Sequence, residues 1–361
     1  MGKLYILGDL HFGCRKSSPL FLDYLISSLN TFISRLWRND KVIILGDVFD
    51  HRNTVDFTVL NKAIDLFYLM SEKCNSIDII AGNHDLYYKN CDANVNYRFL
   101  SYISDNINIV HDIQTVQYDG IDILLCSWID TVEKKTEFLD KIKGHEIICG
   151  HFDCGDLYNV KHDEITYLKS SEVKDKLVFS GHYHQNKKID NIQFVGSFIS
   201  STFSDVDSKK GYYELDASKI SVTNEIDIKF VKNDCPSFEY MSIDNAGEFL
   251  VSMMNLNMET KELLRKKIEG NYIRIFLNEY DTNNVGVCKL IKSYNPKDLS
   301  VVYKRPEIEI KESNFEGFHK KDGDFKEVLH HYIKENIDEN VNPDKILNIV
   351  DHYHRKFSET I

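Results

Sequence analysis

The sequence is short of the features that mark several large classes of protein. Proline occurs only 5 times and glycine 17 times in 361 residues, which excludes a collagen-like or low-complexity chain. Apolar residues nowhere continue uninterrupted for the roughly 18 positions that a membrane-spanning helix needs. The apolar run at the amino terminus is too short for a signal peptide, because Asp9 and His11 interrupt it. We therefore expect a cytoplasmic protein with no membrane partner.

Positive charge and paired cysteines are also scarce. The chain has 44 Lys and Arg against 56 Asp and Glu, a net charge of −12, which excludes a protein held on nucleic acid by bulk charge. A nuclease is not excluded, because bound divalent cations and local basic loops can reverse the field at a site. None of the 8 cysteines forms a Cys-x-x-Cys pair, and several, such as Cys126 and Cys149, lie in apolar runs. We expect reduced core thiols rather than disulfides.

What the sequence does contain is a series of short apolar segments that end in polar residues. Each segment is rich in β-branched residues and is followed by glycine with Asp, Asn or His, as expected for buried strands. The five segments are residues 3–9, 41–47, 76–85, 145–151 and 176–184. Between them, apolar residues spaced three and four apart predict helices over 22–36 and 57–68. Alternating strands and helices predict an α/β domain.

The second half of the chain has a different organisation. From about residue 186 the pattern is β-rich, with a hairpin around Asp190 and two further strands, so the first domain is expected to span 1–232. Residues 233–311 read as β-α-β-α-β, with helices near 245–256 and 258–268, which predicts a small second unit. The apolar spacing in residues 312–361 predicts two amphipathic helices.

Polar side chains with metal-binding chemistry follow the five apolar segments. The carboxyl ends of strands in an α/β sheet converge on one edge, so these side chains should meet there. Two Asp, one Asn and four His would then form the ligand set of a two-metal site, with His84 and Asp50 left over. The predicted ligands are Asp9, His11, Asp47, Asn83, His151, His182 and His184.

Such a site suits the cleavage of phosphoesters. Two divalent ions roughly 3.5–4 Å apart can hold the attacking and leaving oxygens and lower the pKa of bound water, so that hydroxide exists near neutral pH. Mixed carboxylate, amide and imidazole ligands suit Mn²⁺, Fe or Zn²⁺ better than Mg²⁺ or Ca²⁺. We expect two such ions per chain, with Asp47 as the bridging carboxylate.

The five motifs in this order resemble the calcineurin-like metallophosphoesterase superfamily, and within it the SbcD-type nuclease subunits of DNA repair complexes. GDVFDHR at 46–52 and GNHDLYYKN at 82–90 are similar to the branch found in T-even-like phages. The resemblance implies an α-β-β-α sandwich with a small α+β capping domain and a C-terminal helical tail. The metal motifs cover 9–184; beyond about residue 235 only size and layout agree.

The resemblance also assigns roles to individual residues. The two implied metal sites share Asp47 and consist of Asp9, His11, Asp47 and His184 for one ion and Asp47, Asn83, His151 and His182 for the other. His84 would lie over the scissile phosphate and stabilise charge or protonate the leaving oxygen. Asp50 stands where superfamily phosphatases have an Asp that orients this histidine. Whether His51 contributes is left open, and Asp85 is either a partner of the ligands or a helix cap.

The expected partners are DNA and a coiled-coil ATPase. Loop residues beside the motifs could contact DNA phosphates, although ordinary surface charge also explains them: Arg15, Lys16, Arg52, Tyr88 and Lys89. In the resembling family the C-terminal part binds an SbcC-like ABC ATPase, which would make 312–361 a docking element. The alternative is that its helices pack on their own domain. A homodimer is implied as well.

The hypothesis that unites these features is a DNA exonuclease and endonuclease subunit of an SbcCD-like complex, acting in repair and recombination in a bacterial host or its phage. It would depend on two Mn²⁺ per chain, which Mg²⁺ could replace. The first alternative is a small-molecule or cyclic-nucleotide phosphoesterase that does not act on DNA. The residues beyond 232 weigh against it. The second is a scaffold without activity, and the complete set of ligand positions weighs against that.

Overall fold

A computed structural model describes residues 2–87, 95–157, 166–216 and 226–304 of the chain. Met1–Arg305 form one compact unit. The predicted helices of 312–361 lie outside the described residues, as do Tyr88 and Lys89. The seven cysteines within the described residues are free. None of the helices within those ranges is long and apolar enough to cross a membrane.

Strands and helices alternate through the first part of the chain, as the apolar segments predict. The elements up to residue 150 are β1 (Leu4–Leu7), α1 (Pro19–Ile33), β2 (Lys41–Ile44), α2 (Phe57–Ser71), β3 (Ser76–Ile80), β4 (Ile107–Val110), β5 (Ile113–Tyr118), β6 (Ile121–Cys126), α3 (Val132–Lys141) and β7 (Ile147–Gly150). The next elements are β8 (Leu177–Ser180), β9 (Lys187–Ile189), β10 (Ile192–Phe194), β11 (Gly211–Asp216) and β12 (Asp227–Lys232). The predicted hairpin around Asp190 is the turn between β9 and β10.

These strands form two six-stranded sheets. The first has the order β12-β11-β1-β2-β3-β4, in which β1 to β4 are parallel and β11 is antiparallel to β1. The second has the order β5-β6-β7-β8-β10-β9, with β6, β7, β8 and β10 parallel and an antiparallel strand at each edge. The parallel strands run from the middle of the first sheet to its edge at β4 and fill the centre of the second sheet. The continuous apolar sequences of β1, β2, β7 and β8 match burial on both faces.

The two sheets pack face to face and helices cover their outer faces. Ile6 and Ile43 of the first sheet share a core with Ile123 and Cys149 of the second. The apolar sides of α1 and α2 pack on the outside of the first sheet, and Phe138 of α3 packs on the outside of the second. Each fully buried Ile or Phe contributes roughly 1.5–3 kcal/mol. The result is the α-β-β-α sandwich that the resemblance implied.

A smaller three-stranded parallel sheet follows β12. Its elements are β13 (Phe238–Ile243), α4 (Ala246–Asn255), α5 (Met258–Ile268), β14 (Tyr272–Asn278), α6 (Asn284–Ser293) and β15 (Asp298–Lys304). Both helices predicted near 245–256 and 258–268 are present, and both precede β14. The helix between β14 and β15 is α6, for which the sequence pattern provided no bounds.

Aromatic packing joins this smaller unit to the sandwich. The Tyr272 ring stacks on Phe238 at 4.6 Å and on Phe21 of α1 at 5.1 Å. Cys14 belongs to the same buried cluster. Residues 233–304, here called the cap, therefore sit against the amino-terminal end of α1 and the loop that precedes it.

Candidate metal centre

The seven predicted ligands lie together where the parallel strands of both sheets end. The first sheet supplies Asp9 and His11 after β1, Asp47 after β2 and Asn83 after β3, while the second supplies His151 after β7 and His182 and His184 after β8. The His151 Nδ1–H donates to the Leu45 carbonyl at 2.7 Å and so ties the two edges to each other. The site thus belongs to the interface between the sheets.

One group of donors consists of Asp9, His11 and His184, whose ligand atoms all lie within 4.8 Å of one another. The Nε2 atoms of His11 and His184 are 2.9 Å apart. Asp9 Oδ2 and His11 Nδ1 are buried and have no hydrogen-bond partner within the part of the chain that the structure describes. Because an unsatisfied buried polar group costs about 1–3 kcal/mol, and a charged one more, this group fits a bound cation.

A second group forms around Asn83. Its Oδ1 lies 2.9 Å from His151 Nε2 and 3.0 Å from His182 Nδ1. The His151 proton is at Nδ1, where Leu45 accepts it, so the Nε2 lone pair faces the amide oxygen. The His151 Nε2 and Asn83 Oδ1 are both acceptors, so at this separation they require a cation or a proton between them. Neutral imidazole and amide oxygen are suitable ligands for a divalent transition metal.

Asp47 lies between the two groups. Its Oδ2 is 3.5 Å from His151 Nε2 and 4.0 Å from His11 Nε2, while its Oδ1 accepts from the His84 N–H at 2.9 Å. A side chain at Gly82 would collide with the Asp47 carboxylate, which accounts for glycine at this position of the motif. The carboxylate is thus within reach of both groups.

Asp85 organises the backbone beneath the ligands. It is fully buried and accepts hydrogen bonds from the N–H groups of Asp47 at 2.6 Å, Val48 at 3.0 Å and Gly82 at 2.8 Å. The loops after β2 and β3 are therefore fixed to each other. Of the two roles that the sequence left open for Asp85, the structure shows the partner of the ligand loops.

Burial sets the charge state of the site. It lowers the pKa of His11 and His182 to about 3 and also lowers the pKa of His151 and His184. The four imidazoles are therefore neutral near pH 7 and keep lone pairs for a metal. Burial, together with the charge of Asp47, raises the pKa of Asp9 well above its usual value. A cation at the site would offset that repulsion.

His84 lies beside the donors without joining them. Its Nδ1–H donates to the backbone carbonyl of Asp50 at 2.7 Å, and its ring makes an edge contact with His11 at 5.3 Å. The Asp50 carboxylate, expected to orient His84, is instead 3.6 Å from His11 Nδ1 and 3.7 Å from the exposed His51. The orienting group is the Asp50 carbonyl, because the loop turns the side chain towards His11.

The predicted DNA-contacting residues have different surroundings. Arg15 donates from Nε to the Ser201 carbonyl at 2.6 Å, and its guanidinium lies 5.5 and 5.7 Å from the rings of Phe21 and Phe238. It therefore helps to join the cap to the sandwich. Lys16 is exposed and Arg52 is half-buried.

Two residues that the sequence did not single out support the ligands. Lys210 is buried and donates from Nζ to the His184 carbonyl at 2.6 Å, to Ser197 Oγ at 2.8 Å and to Asp205 at 2.7 Å. Asp205 in turn accepts from the backbone N–H of Ser201 at 2.9 Å. The DSKKG segment resembles an ordinary surface turn, so no sequence signal marks Lys210 as buried.

Trp128 is another residue near the ligands that the sequence did not single out. It follows β6, and its ring centroid lies 4.9 Å from that of His182 and 5.9 Å from that of His151. Its position after an apolar strand, ILLCSW, is the same signal that identified the ligands. The tryptophan forms an apolar wall against the second donor group.

Comparisons with known proteins show which family the sequence matches. The model of the calcineurin-like phosphoesterase family matches residues 2–186, just over half of the chain. Exonuclease subunit 1 of Enterobacteria phage T4 is 26% identical over 220 residues, which cover 59% of this chain and 64% of that protein. The match thus spans less than two thirds of the relative's length.

The chain is also similar to solved structures. One is a protein of unknown function from Aquifex aeolicus, at 16% identity and a TM-score of 0.29, and the match covers 49% of this chain and 94% of that one. Another is a 5′-nucleotidase precursor from Thermus thermophilus, at 11% identity and a TM-score of 0.31, covering 64% of this chain and 54% of that one.

Proposed function

The chain belongs to the calcineurin-like phosphoesterase family, whose members are hydrolases that bind divalent metals, and we propose that it hydrolyses phosphodiester bonds of DNA. The observation that carries this proposal is the meeting of seven metal-binding side chains from two sheets beside His84. The name of the phage T4 relative, an exonuclease subunit, supports DNA as the substrate.

In this proposal two Mn²⁺ ions occupy the two donor groups. Asp9, His11, Asp47 and His184 hold one ion, and Asp47, Asn83, His151 and His182 hold the other. The ions, when bound, supply an activated water and neutralise charge on the phosphate. Mg²⁺ can replace Mn²⁺, with weaker binding because imidazole is a poor ligand for it.

His84 is the general acid of the proposed reaction. Its Nδ1–H is held by the Asp50 carbonyl at 2.7 Å, which fixes the ring. As a general acid His84 therefore acts in its doubly protonated form, in which Nε2 carries the transferable proton. Nε2 gives this proton to the leaving oxygen as the phosphodiester bond breaks. In this proposal the Asp50 carboxylate faces His11 and does not touch the substrate.

Digestion of end-labelled linear duplex DNA tests this function. The wild type is compared with His84→Ala in Mn²⁺, in Mg²⁺ and in EDTA, and His111→Ala, at an exposed histidine, is the matched control. We expect Mn²⁺-dependent cutting that falls about 10²–10⁴-fold in His84→Ala, with unchanged Mn²⁺ uptake. Full activity of His84→Ala would refute its role. Turnover of an aryl phosphodiester without any cutting of DNA would mean either that access to DNA needs the ATPase partner or that the substrate is not DNA. Repeating the digestion with the partner decides, and absent cutting there as well would favour a small-molecule phosphoesterase.

We further propose that the chain acts as a homodimeric nuclease subunit beside an SbcC-like coiled-coil ATPase. The net charge of −12 opposes DNA binding, so a basic partner surface would supply attraction that this chain lacks. Residues 233–311 would help to bind DNA, and 312–361 would dock the ATPase. A chain ending at residue 311 should keep aryl phosphodiester turnover and lose ATPase-stimulated cutting of duplex DNA. Light scattering of the full chain should give twice 42.1 kDa.

A further inference from the structure

A cleft of about 260 Å³ opens on the surface and is lined by residues of the loops that hold His84. Its walls come from the segment after β2 and from the segments on either side of residues 88–94. The residues that define it are Phe49, His51, Arg52, Tyr87, Asn96 and Phe99. None of these is a metal ligand in the proposed function.

Hydrogen bonds connect the cleft walls to His84. Asn96 Nδ2 donates to the His84 carbonyl at 3.1 Å and to the Arg52 carbonyl at 3.5 Å. The Asp50 carbonyl, one residue before His51, accepts from His84 Nδ1 at 2.7 Å. The cleft and the proposed general acid are therefore built on the same loops, and a ligand in the cleft would adjoin the reacting phosphate.

The chemistry of the walls is aromatic and cationic. Tyr87 is 45% exposed, and the partly buried Phe99 lies 6.2 Å from Phe49, which forms the floor at 4% exposure. Arg52 and His51 add positive or hydrogen-bonding groups. No acidic residue occurs among the described residues that line the cleft, although the chain as a whole carries −12. Flat aromatic walls with a guanidinium suit a nucleobase attached to a phosphate.

We propose that this cleft binds an unpaired nucleobase adjacent to the phosphodiester that is cleaved. The proposal rests on the proposed nuclease function and narrows its substrate class to single-stranded or frayed DNA. A base in a duplex is covered by its neighbours and its partner strand, so it must unpair before its faces can contact Tyr87 and Phe99. Aromatic stacking contributes to single-strand binding without reading sequence, which predicts little base preference.

Kinetics on a single-stranded oligonucleotide provide the first test. Tyr87→Leu removes the ring and keeps apolar bulk, whereas Tyr87→Phe keeps the ring. The control is Trp37→Leu, at a 77% exposed aromatic before β2 and so at the opposite edge of the sheet. We expect KM to rise about tenfold in Tyr87→Leu with kcat little changed, and to stay near the wild-type value in Tyr87→Phe and Trp37→Leu. Equal KM values in Tyr87→Leu and wild type would overturn the proposal.

Binding without cleavage separates this proposal from the nuclease function. An oligonucleotide with 2-aminopurine next to the central phosphate is mixed with His84→Ala in Mn²⁺, and stacking in the cleft should quench its fluorescence. The quenching should be lost when Tyr87→Leu is added to His84→Ala. Absent quenching would refute the cleft proposal even if the wild type cuts DNA. Quenching with His84→Ala, together with a wild type that cuts no DNA, would refute the nuclease function alone.

Discussion

Lys210 is a buried cation that touches a proposed metal ligand only through the backbone. Its bond to the His184 carbonyl fixes the segment that presents the imidazole. Groups that orient ligands in this way typically change metal affinity about 10–100-fold when they are removed. We therefore expect Lys210→Met to weaken Mn²⁺ binding by that factor in calorimetric titrations.

The neighbouring Lys209 provides the control for this prediction. It is exposed and has the same side chain, so Lys209→Met should bind Mn²⁺ as the wild type does. Unfolding measured in parallel distinguishes a lost contact from a lost fold, because Lys210→Met leaves Asp205 buried without its cation, at a cost of about 3–5 kcal/mol. Wild-type Mn²⁺ affinity in a folded Lys210→Met protein would exclude the positioning role.

A second prediction at the residue scale concerns the reactivity of the buried cysteine thiols. Burial raises the pKa of the thiols of Cys14, Cys74 and Cys126 to about 12. At pH 8 only about 10⁻⁴ of each is thiolate, the form that reacts with iodoacetamide. Mass spectrometry should find these three unmodified in the folded protein and alkylated in guanidinium. The partly exposed Cys288 is the internal reference, and early labelling of Cys126 would contradict the buried position.

The sequence identified side chains whose chemistry follows an apolar strand, and it missed those whose role depends on burial elsewhere. Asp9 and His151 follow such strands, so their meeting could be predicted from the direction of the strands alone. Lys210 lies in a polar segment, where charge normally means exposure. That Asp50 orients His84 through its carbonyl could not be predicted, because the backbone conformation decides it.

Helix α3 covers the second sheet and depends on a defined amino-terminal cap. Thr131 accepts a hydrogen bond from the Lys134 N–H at 3.2 Å, and Phe138 fixes the helix to the core. Loss of such a cap typically costs about 1 kcal/mol. Thr131→Ala should therefore lower the free energy of unfolding by about 1 kcal/mol in urea titrations.

Thr136 within the same helix is the matched control. It is exposed and away from the end, and alanine has the higher helix propensity, so Thr136→Ala should leave stability unchanged or slightly raised. If both variants lost the same free energy, the cap would not explain the effect.

Elements with long apolar patterns could be predicted, and those with mixed patterns could not. The strands that carry the ligands have continuous apolar sequences, and α1 and α2 have clear helical spacing. Helix α6 begins within NNVGVCK, where Asn and Gly are typical of turns, so its bounds were not apparent. The division of the strands into two sheets came from the family resemblance, since apolar runs do not show which strands pair.

The proposed metal ligands come from both sheets, so bound metal should stabilise the whole sandwich. Ligand binding to the folded state adds roughly 4 kcal/mol when its concentration is 1,000 times Kd. We expect the melting temperature to fall in EDTA and to recover when Mn²⁺ is restored, as followed by scanning calorimetry. Asp47→Asn, which replaces the carboxylate between the two donor groups with a neutral amide, should reduce this difference in melting temperature. Identical melting in EDTA and Mn²⁺ would contradict a site that joins the sheets.

The position of β1 bears on how the protein is made. Strand β1 is made before the strands that flank it, and it lies in the middle of its sheet, paired with β2 on one side and with β11 on the other, where Leu4 faces Leu215. At about 5–20 residues per second, the ribosome needs roughly 10–40 s to reach β11 after it has made β1. Lys210, which holds His184, emerges at the same late stage. A nascent chain therefore contains all seven proposed metal ligands before the sheet that positions them is complete, and we expect the proposed cutting activity to begin only after β11 has paired with β1.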